Sequence, residues 1–295
     1  MRAAMSVAIA SHFALMQPAP TQADVTVRAV MHSDLKILDP VWTSATITRL
    51  HGYMVYDTLF AMNEIGEIKP QMVEHYEVSA EGRVFTFTLR DGLVWHDGQE
   101  VTSEDCVASL KRWIARDVTV FSSFVDSFEV HNTKTFSLRL KEPTALVLAA
   151  LCKSAGIVPF MMPKRVAETE TGKQISEVIG SGPFVFKMDE WRPGDKVVYA
   201  KFSKYKPRRE PPSGLAGGKV VKVDRVEWRP ISDHQQAINA LLAGDIDIIE
   251  ESPHDLYPLL KASPDIQLLN LNHLGLQYLF RPNWLAKPFD NPEIR

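Results

Sequence analysis

The chain is poor in cysteine, close to charge balance, and nearly free of long apolar runs. Cys106 and Cys152 are the only cysteines in 295 residues. Two thiols without paired histidines nearby exclude the clustered ligand sets of zinc sites. A disulfide between them stays open in an oxidising compartment, as does the alternative that each packs as a small hydrophobe. The formal net charge is −3, from 33 basic and 36 acidic side chains. That balance supplies no basic field, so nucleic acid is not an expected partner. No G-x-S-x-G elbow occurs, and Gly180-Ser181-Gly182-Pro183 lacks its spacing. Gly217-Gly218 lacks the Lys-Ser/Thr pair of a phosphate loop. His96-Asp97 are neighbours on a tight turn, which rarely aligns an imidazole with a carboxylate. Asp233-His234 reads as a helix start. Asp245 and Asp247 share one face of a strand but have no acid or metal cluster beside them. No enzymatic activity and no cofactor are expected.

One apolar run stands at the amino terminus. Arg2 precedes AAMSVAIASHFALM, then Pro18, Pro20 and Thr21-Gln22-Ala23 follow. The run falls short of the roughly 20 residues that span a bilayer. A basic start, a short apolar centre and small residues before Asp24 predict a signal peptide over 1–23, removed after Ala23. An uncleaved membrane anchor is the alternative. No cysteine follows the run, so no lipoprotein anchor is expected there. Ala145–Leu151 is the longest other candidate, and its length suits a core helix. The remaining chain is expected to be periplasmic.

The most informative stretch is FTFTLRDGLVWHDGQEVTSEDCVASLKRWIAR, residues 85–116. Phe85, Phe87 and Leu89 alternate with polar residues at the period of a half-buried strand. Arg90-Asp91-Gly92 and His96-Asp97-Gly98 are turns in which glycine supplies a positive φ. Thr102 is placed to cap a helix whose first turn carries Glu104 and Asp105. Cys106, Val107, Leu110, Trp113 and Ile114 form its apolar stripe.

Further elements follow in order. A strand is predicted over Val25–Val30 and a helix over Ile47–Leu59. Thr119–Asp126 reads as a loop with exposed Phe121, Phe124 and Val125. A hairpin is expected from Phe128 to Leu140, then a helix from Pro143 to Cys152. Lys206 to Gly218, rich in Pro, Gly and Arg, reads as the least structured stretch. Strands are predicted over Val220–Trp228, Asp245–Ile249, Ile266–Leu271 and Leu276–Phe280. A helix is predicted from His234 to Ala243, capped by Ser232-Asp233 and closed by Gly244.

The string R-D-G-L-V-W-H-D-G-Q-E-V-T-S-E-D-C-V-A-S-L-K-R closely resembles the signature of the extracellular solute-binding proteins of the dipeptide/oligopeptide type, family 5. Glu100 stands where that signature has proline, and Cys106 where it has valine. The likeness continues along the chain. Leu38-Asp39-Pro40 resembles a loop after the first strand. Gly66 to Glu74 resembles "G-x-h-x-P-x-L-A-E", and Gly180-Ser181-Gly182-Pro183-Phe184 resembles "G-T-G-P-Y/F". Lys201 to Tyr205 lacks the family's asparagine. Pro288-Phe289-Asp290-Asn291-Pro292-Glu293-Ile294-Arg295 resembles "P-F-x-D-x-x-V-R".

The resemblance implies an α/β fold, periplasmic-binding-protein-like, with mixed sheets and an inserted domain, truncated before most of the carboxy-terminal lobe. It implies lobe I over 24–65 and 179–269, the inserted domain over 66–178, and the start of lobe II over 270–295. It further implies a monomeric, substrate-binding component of an ABC importer, capturing peptides for permease subunits in the inner membrane. A nickel chelate, haem, sugar or opine is the alternative solute, and a nonfunctional remnant the alternative role. Expected ligand contacts are His32, Ser33, Asp34 and Leu38 after the first strand, Phe121 and Phe124 before the hairpin, and Ser181 and Gly182 near the hinge. Each has a competing reading as local turn chemistry or core packing.

Overall fold

Short alternating strands and amphipathic helices build this molecule around two large cores, with a third, small cluster of Val30, Ala237 and Ile246. The computed structural model describes residues 24–117, 120–271 and 280–294. The predicted signal peptide lies outside the described residues, as does the strand expected over Leu276–Phe280, Phe280 excepted.

The first element is strand β1 (Thr26–Val30), followed by helix α1 (Thr46–Val55). The helix stops earlier than the predicted Leu59, because Tyr56 turns to extended backbone and Phe60 enters a new strand. Strands β2 (Phe60–Met62) and β3 (Ile68–Pro70) form a small antiparallel pair. Then come β4 (Val73–Val78), β5 (Val84–Leu89) and helix α2 (Ser103–Arg116). Helix α3 (Val120–Phe124), β6 (Val125–Val130) and β7 (Thr135–Leu140) follow. Helices α4 (Leu146–Leu151) and α5 (Lys164–Ala167) lead to β8 (Phe184–Phe186) and β9 (Val197–Lys201). The described chain closes with β10 (Arg225–Arg229), α6 (His234–Ala243), β11 (Ile248–Ile249) and α7 (Tyr257–Ala262).

Strands β4 to β7 make an antiparallel sheet in the order β4-β5-β7-β6. Its inner face places Phe85, Phe87, Leu89, Phe136 and Leu138 against Cys106, Leu110 and Trp113 of α2. Fully burying such a side chain contributes about 1.5–3 kcal/mol, so this face and the α2 stripe hold the layer together. The turns before α2 use glycine as expected, with φ of +74° at Gly92 and +88° at Gly98. Thr102 caps α2 in a reciprocal box with Asp105, whose Oδ2 accepts the Thr102 N–H at 2.8 Å. Asp105 also accepts the Trp95 indole N–H and the Lys164 amide. It therefore anchors three segments, beyond its favourable place on the helix dipole.

The second sheet has the order β11-β1-β10-β9-β8, with β1 parallel to both β10 and β11. α1 packs over β8, and Tyr199 and Trp228 lie within the same core. Asp233 caps α6 through the Gln236 N–H at 2.7 Å. The sheet's last parallel strand is short, so the strand predicted over Asp245–Ile249 shrinks to two residues.

Three further expectations change. The loop predicted over Thr119–Asp126 contains α3, and Phe121 is 4% exposed against Trp113. Only Arg225–Trp228 of the predicted Val220–Trp228 strand joins the ladder, which runs on to Arg229, because β1 and β9 offer partners only there. Ile266–Leu271 forms no strand; Leu269 and Leu271 are exposed rather than paired. Cys106 and Cys152 are both free and buried, each packing as a small hydrophobe in one core.

Candidate functional site

Three parallel strands end side by side. β10 stops at Arg229, β1 at Val30 and β11 at Ile249. In open α/β sheets the crevice beyond the carboxyl ends of such strands is where ligands bind. The loop leaving β1 carries His32, Ser33 and Asp34, so the structure sets these three at that edge.

The loop is held by the neighbouring segments. Glu250, the residue after β11, donates its N–H to the Val30 carbonyl at 2.9 Å. Its Oε2 accepts the His32 backbone N–H at 3.0 Å and lies 2.9 Å from the His32 Nδ1. Asp34 Oδ2 accepts the Gly194 N–H at 3.0 Å, tying the loop to the β8–β9 hairpin. Ser33 is exposed. Leu38 is half-buried and packs against the second core, so its competing reading as a packing residue accounts for its place. Along β10, Arg225 bridges to Glu190 at 2.7 Å and Arg229 to Glu227 at 2.9 Å. The Arg225 hydrogen bond holds the Glu190 carboxyl below its ordinary value.

Phe121 and Phe124 do not join this edge. Phe121 is buried, and Phe124 packs half-buried on the same core under the antiparallel sheet. The expectation of exposed aromatics is corrected: α3 turns both rings inward, where burial is favourable.

Ser181 and Gly182 lie elsewhere again, at the join between the two sheets. The Gly182 N–H donates to the Val55 carbonyl at 2.9 Å. A Cβ at Gly180 would sit 2.0 Å from that carbonyl oxygen, and one at Gly182 2.7 Å from it. Only glycine allows this approach. His96 clamps the turn from the other side. Its Nδ1 accepts the Gly180 N–H at 3.3 Å and its Nε2 donates to the Gly182 carbonyl at 3.1 Å. Burial lowers the His96 pKa to about 4, against opposing pulls from Gly182 and Asp97. The ring is therefore neutral with its proton on Nε2. Ser181 is buried, and its Oγ has no partner among the described residues.

Glu250 and His96 were not among the expected site residues. A charged residue directly after the short apolar run Ile248-Ile249 is the one sequence signal that pointed to a strand exit. Nothing local marked His96 as more than a turn residue. Among the described residues, no three His, Cys, Asp or Glu side chains are grouped to hold a metal ion. Nor is any described helix long and apolar enough to cross a membrane. A groove of about 550 Å³ lies apart from the strand ends, between Lys111 and Ala115 of α2 and Glu168 after α5.

A mixed α/β chain of several sheets, one of them with parallel strands ending side by side, agrees with the fold of the periplasmic binding proteins. Residues 67–295 match the family model of the bacterial extracellular solute-binding proteins, family 5 (middle), and the chain belongs to that family. It is 39% identical over 277 residues to the "Probable peptide ABC transporter periplasmic-binding protein y4tO" of Sinorhizobium fredii, covering 92% of this chain and 51% of that one. It is 26% identical over 284 residues to the glutathione-binding protein GsiB of Salmonella paratyphi A, covering 94% of this chain and 52% of that one. Among solved structures, the binding protein AgaA of A. tumefaciens R10 in complex with agropinic acid superposes with a TM-score of 0.67 at 27% identity, over 81% of this chain and 46% of that one. The chain thus spans about half the length of the curated relatives it matches.

Proposed function

We propose that this chain serves solute capture for an ABC importer, with peptides as the solute and the carboxyl edge of β10, β1 and β11 as its contribution to the binding site. The observation that carries the reading is the His32–Asp34 loop, held over three parallel strand ends by Glu250 and Gly194. The name of the most identical of the relatives described above, a peptide periplasmic-binding protein, supports the solute class. In this reading the protein is a periplasmic monomer that hands its solute to permease subunits of the inner membrane, and 1–23 is its signal peptide. His32, Ser33 and Asp34 are the contacts retained from the expected set.

The same reading takes 66–178 as an inserted domain between two parts of lobe I, 24–65 and 179–269, with 270–295 opening lobe II. The sheets support it. All four strands of the antiparallel sheet come from within 73–140, while the mixed sheet draws on both flanks.

Nuclear magnetic resonance with an isotope-labelled chain and a tripeptide mixture tests the proposal. Peptide addition should move the His32, Ser33 and Asp34 signals and leave those of Phe121 and Phe124 in place. An unchanged loop at saturating peptide would overturn it. The likeness to a protein solved with agropinic acid favours a second reading, an opine-type solute at the same edge. Agropinic acid in place of peptide, in the same titration, separates the two.

A further inference from the structure

One Glu250 oxygen, Oε2, takes both the backbone N–H and the ring Nδ1 of His32, at 3.0 and 2.9 Å. An ionised carboxylate accepts and never donates. The ring must therefore carry a proton on Nδ1. In the neutral imidazole the lone pair then stands on Nε2. Among the described residues that Nε2 has no partner. The His32 side chain keeps 23% of its surface exposed. So the ring is fixed at one nitrogen and unpaired at the other, on a residue that is exposed as a whole.

We infer that Glu250 is a positioning residue that sets the His32 tautomer, and that His32 Nε2 is a hydrogen-bond acceptor for an N–H donor of the solute. The class of group it takes is a peptide amide or ammonium N–H; a carboxylate has no proton to offer it. This second half rests on the functional reading above. The Glu250 half does not, since it concerns the free chain alone. Glu250 acts through His32, since its Oε2 is already occupied by two donors of that residue. Its own N–H is bound to Val30, which keeps it in place at the strand exit.

The test has two arms on the full chain. In the first, ring nitrogens are labelled and read by magnetic resonance at a pH well above the imidazole range, with His32 assigned from His32→Gln. The wild type should show the Nδ1–H form. Glu250→Gln, which keeps an acceptor oxygen, should retain it, and Glu250→Ala should move the ring to the Nε2–H form. An Nε2–H ring in the wild type, or no change in Glu250→Ala, overturns the positioning role. The wild-type spectrum alone decides the matter should Glu250→Ala not fold.

In the second arm, tri-alanine is titrated into wild type, His32→Gln and His32→Asn. Glutamine reaches the Nε2 position with an acceptor oxygen, whereas asparagine reaches only the Nδ1 position. Asparagine should weaken binding about tenfold and glutamine much less, the loss expected for one hydrogen bond. Equal affinities for the two variants overturn the contact. No binding to the wild type means that the peptide reading has failed, and with it the contact; the ring-nitrogen spectrum then still decides the role of Glu250.

Discussion

Asp39 and Arg112 form a buried ion pair, with 2.6 Å between Oδ2 and the guanidinium, and side chains 0% and 4% exposed. Asp39 leaves the β1 loop, and Arg112 lies on α2, so the pair joins the mixed sheet to the antiparallel layer. Its hydrogen bonds are extensive. Asp39 also accepts the N–H groups of Val41 and Ile175, and Arg112 donates to the carbonyls of Thr169 and Lys173. Removing one partner strands the other charge in a dry interior, which costs about 3–5 kcal/mol. Asp39→Ala and Arg112→Ala should each lower stability by that amount in urea titrations. Because a buried pair is replaceable by apolar groups, Asp39→Leu with Arg112→Met should recover much of the loss. A double variant as unstable as the sum of the two single ones would show that the pair has no such coupling.

The reach of this pair marks what a sequence can and cannot show. α2 was legible because its signals are local: Thr102 with Asp105, and a stripe of Cys106, Leu110 and Trp113. The bounds of α6 were legible for the same reason, through Asp233 and Gly244. Pairing partners 73 positions apart, as for Asp39 and Arg112, or 218 apart, as for His32 and Glu250, leave no periodicity to read. The segment after Lys206 shows the converse. Its composition suggested a loose loop, yet Arg208 donates to the carbonyls of Gln71 and Val73, and the Leu215 N–H to Met62. Phe121 was misplaced because a five-residue helix is too short for the helical period to appear.

The turn at Gly180–Gly182 should not tolerate side chains. Gly180→Ala would place a Cβ 2.0 Å from the Val55 oxygen, and Gly182→Ala one 2.7 Å from it. Both neighbours are backbone, so relief requires moving α1 away from the turn. Each variant should lose about 3 kcal/mol or more in thermal or urea unfolding. Gly172→Ala, with nothing within 4 Å, is the matched control and should stay within about 0.5 kcal/mol of wild type.

Neither thiol should react in the native chain. Burial pushes the Cys106 thiol up, away from the reactive thiolate, and Cys152 shifts in the same direction. A chromogenic disulfide reagent should therefore titrate little in native buffer and both cysteines in denaturant. Absence of reactive thiol in denaturant without reductant would reveal a disulfide and contradict the free pair.

The His96 clamp gives the fold a pH dependence of definite sign. Its pKa falls from 6.5 to about 4 on folding, so the unfolded chain binds the proton more readily. The stabilisation is thus fully present above pH 6.5, declines as pH falls, and is gone below about 4. Protonation also removes the Nδ1 lone pair that accepts the Gly180 N–H, which opens the join between the sheets. His51, buried and lowered to about 3, acts in the same direction, so a wild-type profile alone mixes the two. The difference between wild type and His96→Gln isolates the clamp. Urea midpoints measured between pH 7 and pH 4 should fall more steeply for wild type than for His96→Gln, with the gap closing toward the acid end. Parallel profiles would mean that His96 titrates alike in the folded and unfolded chains, and that its burial does not hold the ring neutral.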